Sequence, residues 1–272
     1  MLACSFSPPA ASGDALPAEA DTGVTIDGPS DRDHDGMPDE ADNCPDTPNP
    51  DQRNHDGDPK GDACDFCPHL ASATDPDADG DGIGDACDPR NGIDTRLLWV
   101  GFYDEADIAG WSVGGTWTFD GMTARQADAS TTTFLYPPLT YTKAAVQAGV
   151  VIDLVLSAGS HGLGVGTGLT GSLTNPDQGY LCFLISDNNG VLFRESRDVI
   201  RTQSSTDWPV MISGSTVKLD LDVDGTVSCH GVSSAADETV TGLLGATTGR
   251  VGLFSQSAEV RFDYLFVVGL GS

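Results

Sequence analysis

The chain has 272 residues, of which 41 are acidic and 13 basic, and its formal net charge is −28 at pH 7. Such a surface repels phosphate backbones, so we expect no nucleic-acid partner. Residues 1–92 carry 22 of the acidic and 4 of the basic side chains, and the length allows one large or two modest domains.

The first residues resemble the cleavage site of a bacterial lipoprotein. Met1-Leu2-Ala3 precedes Cys4, which is also the cysteine left over when the other six are paired. No charged and apolar signal segment stands before it, so the start lies upstream or the resemblance is accidental. We expect Cys4 to be lipidated, and this lipid is the only membrane contact that we expect.

Residues 5–30 are rich in Ala, Pro, Ser and Asp and show no hydrophobic periodicity. This composition predicts a flexible tether. No stretch of the chain approaches the length of an apolar membrane span.

Three acidic segments then repeat with a period of 23 residues, at 31–42, 54–65 and 77–88. We call them loops one, two and three and number their positions from 1 to 12. Asp or Asn occupies positions 1, 3 and 5, and Asp occupies positions 9 and 12. This is the pattern of a calcium loop, in which a backbone carbonyl at position 7 completes the ligand set.

The predicted calcium ligands include the backbone carbonyl at position 7 of each loop, and they are Asp31, Asp33, Asp35, Met37, Asp39, Asp42, Asn54, Asp56, Asp58, Lys60, Asp62, Asp65, Asp77, Asp79, Asp81, Ile83, Asp85 and Asp88.

Four cysteines share the period of the loops. Four cysteines allow three pairings, and the repeat favours Cys44 with Cys64 and Cys67 with Cys87, one bridge between each adjacent pair of loops. Each bridge would close about 20 residues and contribute roughly 3 kcal/mol in the chain-entropy model. Bridged cysteines require an oxidising compartment, so we expect export.

Residues 31–92 contain too few large apolar side chains to bury a core: Met37, Phe66, Leu70 and Ile83. Their order should therefore depend on bound calcium and on the bridges. Two alternatives are solvated disorder, which requires no strict period, and a zinc or redox site at Cys64 and Cys67. Zinc needs two further soft ligands, and His55 and His69 do not repeat in frame.

Residues 31–45, 49–52 and 79–88 resemble thrombospondin type 3 repeats. The resemblance implies a coreless array wrapped around calcium, with disulfides between repeats and often more than one ion per repeat. Fourteen of the fifteen side-chain positions are Asp, whereas three calcium ions neutralise six charges. We therefore expect at least three ions and hypothesise two per loop. Asn54 at position 1 and Pro59-Lys60 at positions 6 and 7 depart from the pattern, so loop two is predicted to be the weakest site.

After Asp94, short apolar runs alternate with small polar residues, which predicts an antiparallel β-sandwich of the jelly-roll kind over 93–272. The predicted strands are 97–102, 111–119, 122–126, 146–156, 162–169, 180–185, 191–194, 216–223, 226–231, 250–255 and 260–268. Residues 249–255 and 260–267 resemble concanavalin-like and laminin-G-like sandwiches of secreted bacterial proteins. That resemblance implies carbohydrate or protein binding and, less often, glycan hydrolysis.

Three features of the predicted sandwich could bear on chemistry. Asp220, Asp222 and Asp224 resemble half a calcium loop or the paired carboxylates of laminarinase-type glycosidases. However, the alternation of 217–223 and the following Asp-Gly favour a hairpin with an acidic face.

Trp208 could stack on a sugar ring or fill the edge of the sandwich. Cys182 and Cys229 lie on predicted strands and are expected to pair.

The sequence thus predicts a mainly β protein, with a coreless calcium-binding array followed by a sandwich. We expect a non-enzymatic surface protein, lipoprotein or secreted, whose calcium-stiffened stalk presents the sandwich for adhesion or for binding a glycan or protein. The alternative is a secreted glycan-active hydrolase, which needs two carboxylates facing each other across one sheet.

Overall fold

The computed structural model describes residues 30–128, 130–155, 161–172, 176–187, 190–198, 201–207, 216–224, 226–243 and 248–271. Cys4 and Trp208 lie outside the described residues, so their predicted roles stay predictions. Within the described ranges, no helix is both long and apolar enough to cross a membrane.

The acidic array, residues 31–92, consists of turns and bends, and strands begin at Thr95. The described strands are β1 (Thr95–Val100), β2 (Ser112–Gly114), β3 (Trp117–Phe119), β4 (Ala124–Gln126), β5 (Thr132–Tyr136), β6 (Thr140–Tyr141), β7 (Ala144–Val155), β8 (His161–Gly171), β9 (Pro176–Asp187), β10 (Gly190–Asp198), β11 (Arg201–Asp207), β12 (Thr216–Asp224), β13 (Thr226–Ser233), β14 (Asp237–Leu243), β15 (Gly249–Gln256) and β16 (Ala258–Gly269). A short 3-10 helix, Glu105–Ile108, lies between β1 and β2.

The strands form two antiparallel sheets, which confirms the predicted fold class. Sheet A has the order β14-β13-β12-β7-β16-β4-β3, with β1 also paired to β16. Sheet B has the order β11-β10-β9-β8-β15-β5-β2, with β6 also paired to β15. Apolar side chains from the facing sides of both sheets form the main core.

Strand β12 shows how the alternating sequence builds this core. Its inward residues, including Leu219 and Leu221, are fully buried, while Asp220 and Asp222 are half-buried on the outer face. β12 pairs with β13 up to Asp224 and Thr226, so the predicted hairpin is confirmed. The Cys182–Cys229 disulfide, also expected, joins β9 of sheet B to β13 of sheet A.

The prediction of a single strand at 111–119 is wrong. The structure divides it into β2, which joins sheet B, and β3, which joins sheet A. Gly115 lies between them with φ +85°, a conformation that glycine adopts without steric cost. The chain therefore crosses from one sheet to the other at this glycine.

Four strands were not predicted: β5, β6, β11 and β14. β11 and β14 are rich in polar residues, so they lack the apolar alternation on which a strand prediction depends. β5 also lacks alternation, but for another reason: Thr133 and the three residues after it are all buried.

A β-bulge in β16 lets this strand contribute side chains to two hydrophobic cores, one on each face of sheet A. Up to Phe262, the even-numbered residues face the main core. The register with β7 shifts between Phe262 and Tyr264, and one extra residue moves every later side chain to the opposite face. Beyond the bulge, Leu265 and Val267 enter the main core, whereas Phe266 lies in a second cluster on the outer face of sheet A.

The array packs against this outer face. Ile83 of loop three and the Cys67–Cys87 disulfide share the second cluster with Tyr264 and Phe266, and Ile83 is 0% exposed. The array thus has no core of its own, as the sequence predicts, but it uses the sandwich as one. The predicted calcium-stiffened stalk that presents the sandwich lies against the outer face of sheet A in this structure.

Polar contacts around His69 fix the same interface. The ring of His69 contacts those of Trp99 (5.9 Å between centroids) and Tyr264 (4.3 Å), which also contact each other (5.9 Å). Its Nε2 donates to Oε1 of Gln147 (3.1 Å), whose Nε2 donates to the carbonyl of Cys87 (3.1 Å). Burial lowers the pKa of His69 to about 3, so the ring is neutral and adds no charge to the interface.

This packing predicts different costs of truncation for Ile83, which lies in the array, and for Ile93, which follows directly after it. Ile83→Ala should lower the free energy of unfolding by about 2–4 kcal/mol, because it leaves a cavity between the array and sheet A. Ile93→Ala is the matched control: Ile93 is 84% exposed, so its truncation should change stability by less than about 0.5 kcal/mol. Urea unfolding in calcium buffer measures both. Equal costs would show that the array does not share a core with the sandwich.

Candidate metal centre

The three acidic loops each gather carboxylate oxygens from three aspartates. In each cluster, one oxygen per residue lies within 4.8 Å of the others. The clusters are Asp31, Asp33 and Asp35 in loop one, Asp56, Asp58 and Asp65 in loop two, and Asp77, Asp79 and Asp81 in loop three. Nine of the predicted ligands are therefore brought together, at positions 1, 3 and 5 in two loops and at positions 3, 5 and 12 in loop two.

Short side-chain-to-backbone hydrogen bonds orient these carboxylates. In loop one, Oδ1 of Asp33 accepts from the backbone N–H of Asp35 (3.2 Å), and Oδ1 of Asp35 accepts from that of Met37 (2.8 Å). Asp56 and Asp58 make the equivalent bonds in loop two. A hydrogen bond from a backbone N–H to the side-chain oxygen of the Asp two residues earlier forms an Asx turn. Each of these bonds occupies only Oδ1 of its aspartate.

Several of the remaining oxygens are buried without a hydrogen-bond partner, namely Oδ2 of Asp33, Asp42 and Asp56. Burying an anionic oxygen without a partner is costly. Burial raises the pKa of Asp56, and it raises that of Asp65 to about 7. A bound divalent cation removes this cost, and Ca²⁺ prefers carboxylate and carbonyl oxygens. The residues present therefore fit calcium.

The position-9 aspartates lie outside the three clusters. Oδ1 of Asp39 accepts from the backbone N–H of Arg32, at position 2 (2.9 Å). Asp85 accepts from Ala78 in the same way (2.8 Å). In loop two, Asp62 Oδ1 likewise accepts from the position-2 N–H (2.8 Å). These carboxylates brace their loops, a role that sequence spacing did not indicate, and their predicted calcium ligation stays a prediction.

The two departures of loop two from the repeat explain each other. In loop three, the position-1 carboxylate of Asp77 accepts from the N–H of Gly82 at position 6 (2.9 Å). Pro59 at position 6 of loop two has no N–H to donate. Asn54 replaces the missing bond by donating its own Nδ2–H to the carbonyl of Asp58 (2.7 Å), and its Oδ1 accepts from a backbone N–H within the loop.

A further difference between the loops follows position 12. Oε1 of Gln52 accepts from the backbone N–H of Asn43 (3.0 Å), and its Nε2 donates to Asp42 (2.8 Å). One period later, Asp75 accepts from the N–H of Phe66 (3.0 Å), but a carboxylate cannot donate to the buried Asp65. Asp75 Oδ1 is itself buried without a partner, whereas its Oδ2 accepts from Nζ of Lys60, at position 7 of loop two (2.8 Å). The anionic group next to loop two is therefore paired with a cation of the same loop, and the predicted weakness of loop two stays a prediction.

Adjacent loops are joined by a disulfide and a backbone hydrogen bond. The disulfides are Cys44–Cys64 and Cys67–Cys87, the pairing that the repeat favours. The N–H of Gly61 donates to the carbonyl of Asn43 (3.1 Å). A Cβ on Gly61 would lie 2.3 Å from Oδ1 of Asn43, so glycine is required for this approach.

Comparison with known proteins agrees with the geometry of loop one. Residues 29–52 match the family model of the thrombospondin type 3 repeat, a calcium-binding repeat. No curated protein matches the chain.

Solved structures similar to the chain are β-proteins. Carbohydrate-binding module CBM66 from Bacillus subtilis has 14% identity and a TM-score of 0.43, over 57% of this chain and 92% of that one. A protein of unknown function with a galectin-like fold from Bacillus subtilis has 12% identity and a TM-score of 0.49, over 63% and 94%. A Lotus tetragonolobus seed lectin has 9% identity and a TM-score of 0.49, over 64% and 100%.

The link between Asn54 and Pro59 can be tested with a double-mutant cycle. Asn54→Asp alone should destabilise the calcium-bound protein by about 1–3 kcal/mol, because an oxygen replaces the N–H donor facing the Asp58 carbonyl. In Asn54→Asp/Pro59→Gly the restored N–H should remove much of this cost. Urea unfolding at saturating calcium measures the cycle, and Pro59→Gly alone is the control. Additive effects would show that the two positions are not coupled.

Exchanging the residues that follow position 12 tests the role of Asp75. Asp75→Gln should reduce the calcium-induced rise in Tm, because it removes an anionic group next to loop two and leaves Lys60 without its carboxylate partner. Gln52→Asp is the reciprocal variant and should increase that rise, because it adds a carboxylate beside loop one. Thermal unfolding with calcium and with chelator decides, and an unchanged calcium response in both variants would contradict the assignment.

Proposed function

We propose that this protein is an exported calcium-binding protein, in which calcium orders the array and so completes one face of the β-sandwich. The observation that carries the proposal is the set of three carboxylate clusters, together with the buried oxygens of loops one and two that lack hydrogen-bond partners. Three disulfides support export, since they form in oxidising compartments.

In this proposal the side chains at positions 1, 3, 5 and 12 hold calcium, together with the carbonyls of Met37, Lys60 and Ile83. Bound calcium supplies positive charge that offsets the repulsion among the carboxylates. The chain's own contribution is orientation: the Asx turns and the position-9 hydrogen bonds direct the carboxylate oxygens toward the bound ion. Extracellular modules of this kind bind calcium with Kd of about 10⁻⁴ to 10⁻³ M.

We further propose that the sandwich binds a glycan or a partner protein at the cell surface, in an adhesive role, with Cys4 as a lipid anchor where it is processed. The shared cluster around Ile83 and Phe266 supports a coupling between calcium and this binding. Because one side of the cluster belongs to the array, loss of calcium would uncover the outer face of sheet A.

A glycan hydrolase is the second candidate, and Asp220 is the residue that favours it. Burial raises the pKa of this carboxyl, a property of general acids. However, its carboxylate lies 3.7 Å from Lys218 Nζ and 3.6 Å from His230 Nδ1. We favour binding, because these two groups hold Asp220 in an ion-pair network on the outer face of sheet A.

Removal of calcium should affect the two parts of the chain differently. With a chelator, backbone amides of residues 31–92 should exchange much faster than those of β7, β8 and β12, because the array loses the charge compensation that orders it. Tryptophan fluorescence should shift to the red as Trp99 becomes exposed, and Trp99→Phe should abolish that shift whereas Trp117→Phe should retain it. Equal exchange in the array and the sandwich after chelation would contradict calcium-coupled ordering.

A further inference from the structure

A pocket of about 360 Å³ lies where loop two meets the start of the sandwich. The array contributes Asn49, Asp51 and Arg53 to its wall, and the sandwich contributes Trp99, Gly101 and Tyr103. Ligand sites in proteins have volumes of roughly 300–1,000 Å³ and combine apolar surface with a few fixed polar groups. The pocket is at the small end of that range, which suits a ligand of one or two rings.

Asp62 fixes the two aromatic rings of the pocket. Its Oδ2 accepts from Nε1 of Trp99 (3.0 Å) and from the hydroxyl of Tyr103 (2.8 Å). Gly101 permits the close packing, because a Cβ there would lie 2.8 Å from the Tyr103 ring and 2.9 Å from Nδ1 of His55. Both rings are thus held in place before any ligand binds, which lowers the entropic cost of binding.

The charges of the pocket select against anions. Arg53 is its cation, and its guanidinium contacts Asp107 (2.7 Å), Asp104 (2.9 Å) and Asp51 (3.1 Å). Three carboxylates therefore surround one guanidinium, which also lies over the ring of Tyr103, 4.7 Å from its centroid. Asp62 adds a fourth carboxylate to the pocket. Phosphate, sulfate or uronic acid groups would be repelled, whereas neutral hydroxyl groups can donate hydrogen bonds to these carboxylates.

We propose that this pocket binds a neutral sugar unit. The apolar part of the lining, which includes Ala63, Leu98 and Trp99, suits the C–H face of a sugar ring. The carboxylates of Asp51 and Asp107 suit its hydroxyl groups. The inference deepens the proposed glycan binding and rests on it. It assigns the site to the junction between array and sandwich rather than to the sandwich alone.

Loop two supplies one wall of the pocket, so sugar binding depends on calcium. Asp62 occupies position 9 of loop two, and its Oδ1 accepts from the backbone N–H of His55 in the same loop. When loop two loses its order, the anchor of Trp99 and Tyr103 is lost with it. The pocket therefore couples calcium at loop two to recognition of the sugar.

The test uses the full chain in calcium buffer. Methyl glycosides of neutral hexoses and pentoses are compared with glucuronic acid and choline by saturation-transfer NMR and calorimetry. We expect binding of a neutral glycoside, at least tenfold weakening by Tyr103→Ala, a smaller loss with Tyr103→Phe, and loss of binding on chelation. Trp117→Ala, in a separate groove with Phe119, is the control and should bind like the unchanged protein. The calcium-induced rise in Tm should persist in Tyr103→Ala, which shows that this variant is folded.

The other outcomes overturn the inference in distinguishable ways. Neutral-sugar binding that is unaffected by Tyr103→Ala or by chelation would preserve glycan binding but place it elsewhere. Binding of choline or glucuronic acid alone would refute the neutral-sugar assignment. Absence of binding to every probe would refute the sugar site and the glycan part of the proposed function together, while the calcium response would still report on the array.

Discussion

The array packs on a hydrophobic surface that belongs to the sandwich. Its aspartates repel each other, and its few apolar side chains cannot enclose a core. The outer face of sheet A supplies the missing core, because Tyr264 and Phe266 cover Ile83 and the Cys67–Cys87 disulfide. Carboxylate oxygens that are buried without partners in loops one and two mark the places where a cation would offset the repulsion among the aspartates. An ion bound there would stabilise the same array that packs on the sandwich.

The three loops share one backbone plan but are not equivalent sites. In each loop the position-9 carboxylate braces the N–H at position 2. Loop two differs by Asn54 and Pro59, which compensate each other, and by Asp75, which replaces the amide donor found at Gln52 in the preceding repeat. The repeat pattern identifies which carboxylate oxygens can come together around one ion. The groups next to each carboxylate determine how much negative charge that ion has to offset.

Sequence reasoning reached the features that depend on local spacing. The period of 23 predicted the loops and the disulfide pairing, and the alternation in β12 predicted its hairpin. It failed where the outcome depends on distant partners. Asp62 matched a calcium-ligand position, yet its Oδ2 accepts from Trp99 and Tyr103, which spacing within the loop cannot reveal. The continuous apolar run 264–268 did hold a signal for a strand covered on both faces, because one-sided strands alternate.

The bulge in β16 also imposes an order on assembly. The array precedes β16 in the chain, and the hydrogen bond from Arg90 to the carbonyl of Gly271, just after β16, spans 181 residues. During synthesis and export, the loops and their cysteines therefore emerge well before the surface on which they pack. Disulfide pairing between neighbouring loops needs only local contacts and can be completed early. The array can pack on the sandwich only after β16 has been synthesised. A chain shortened before Tyr264 would therefore carry correctly bridged loops but would lack the surface against which they pack.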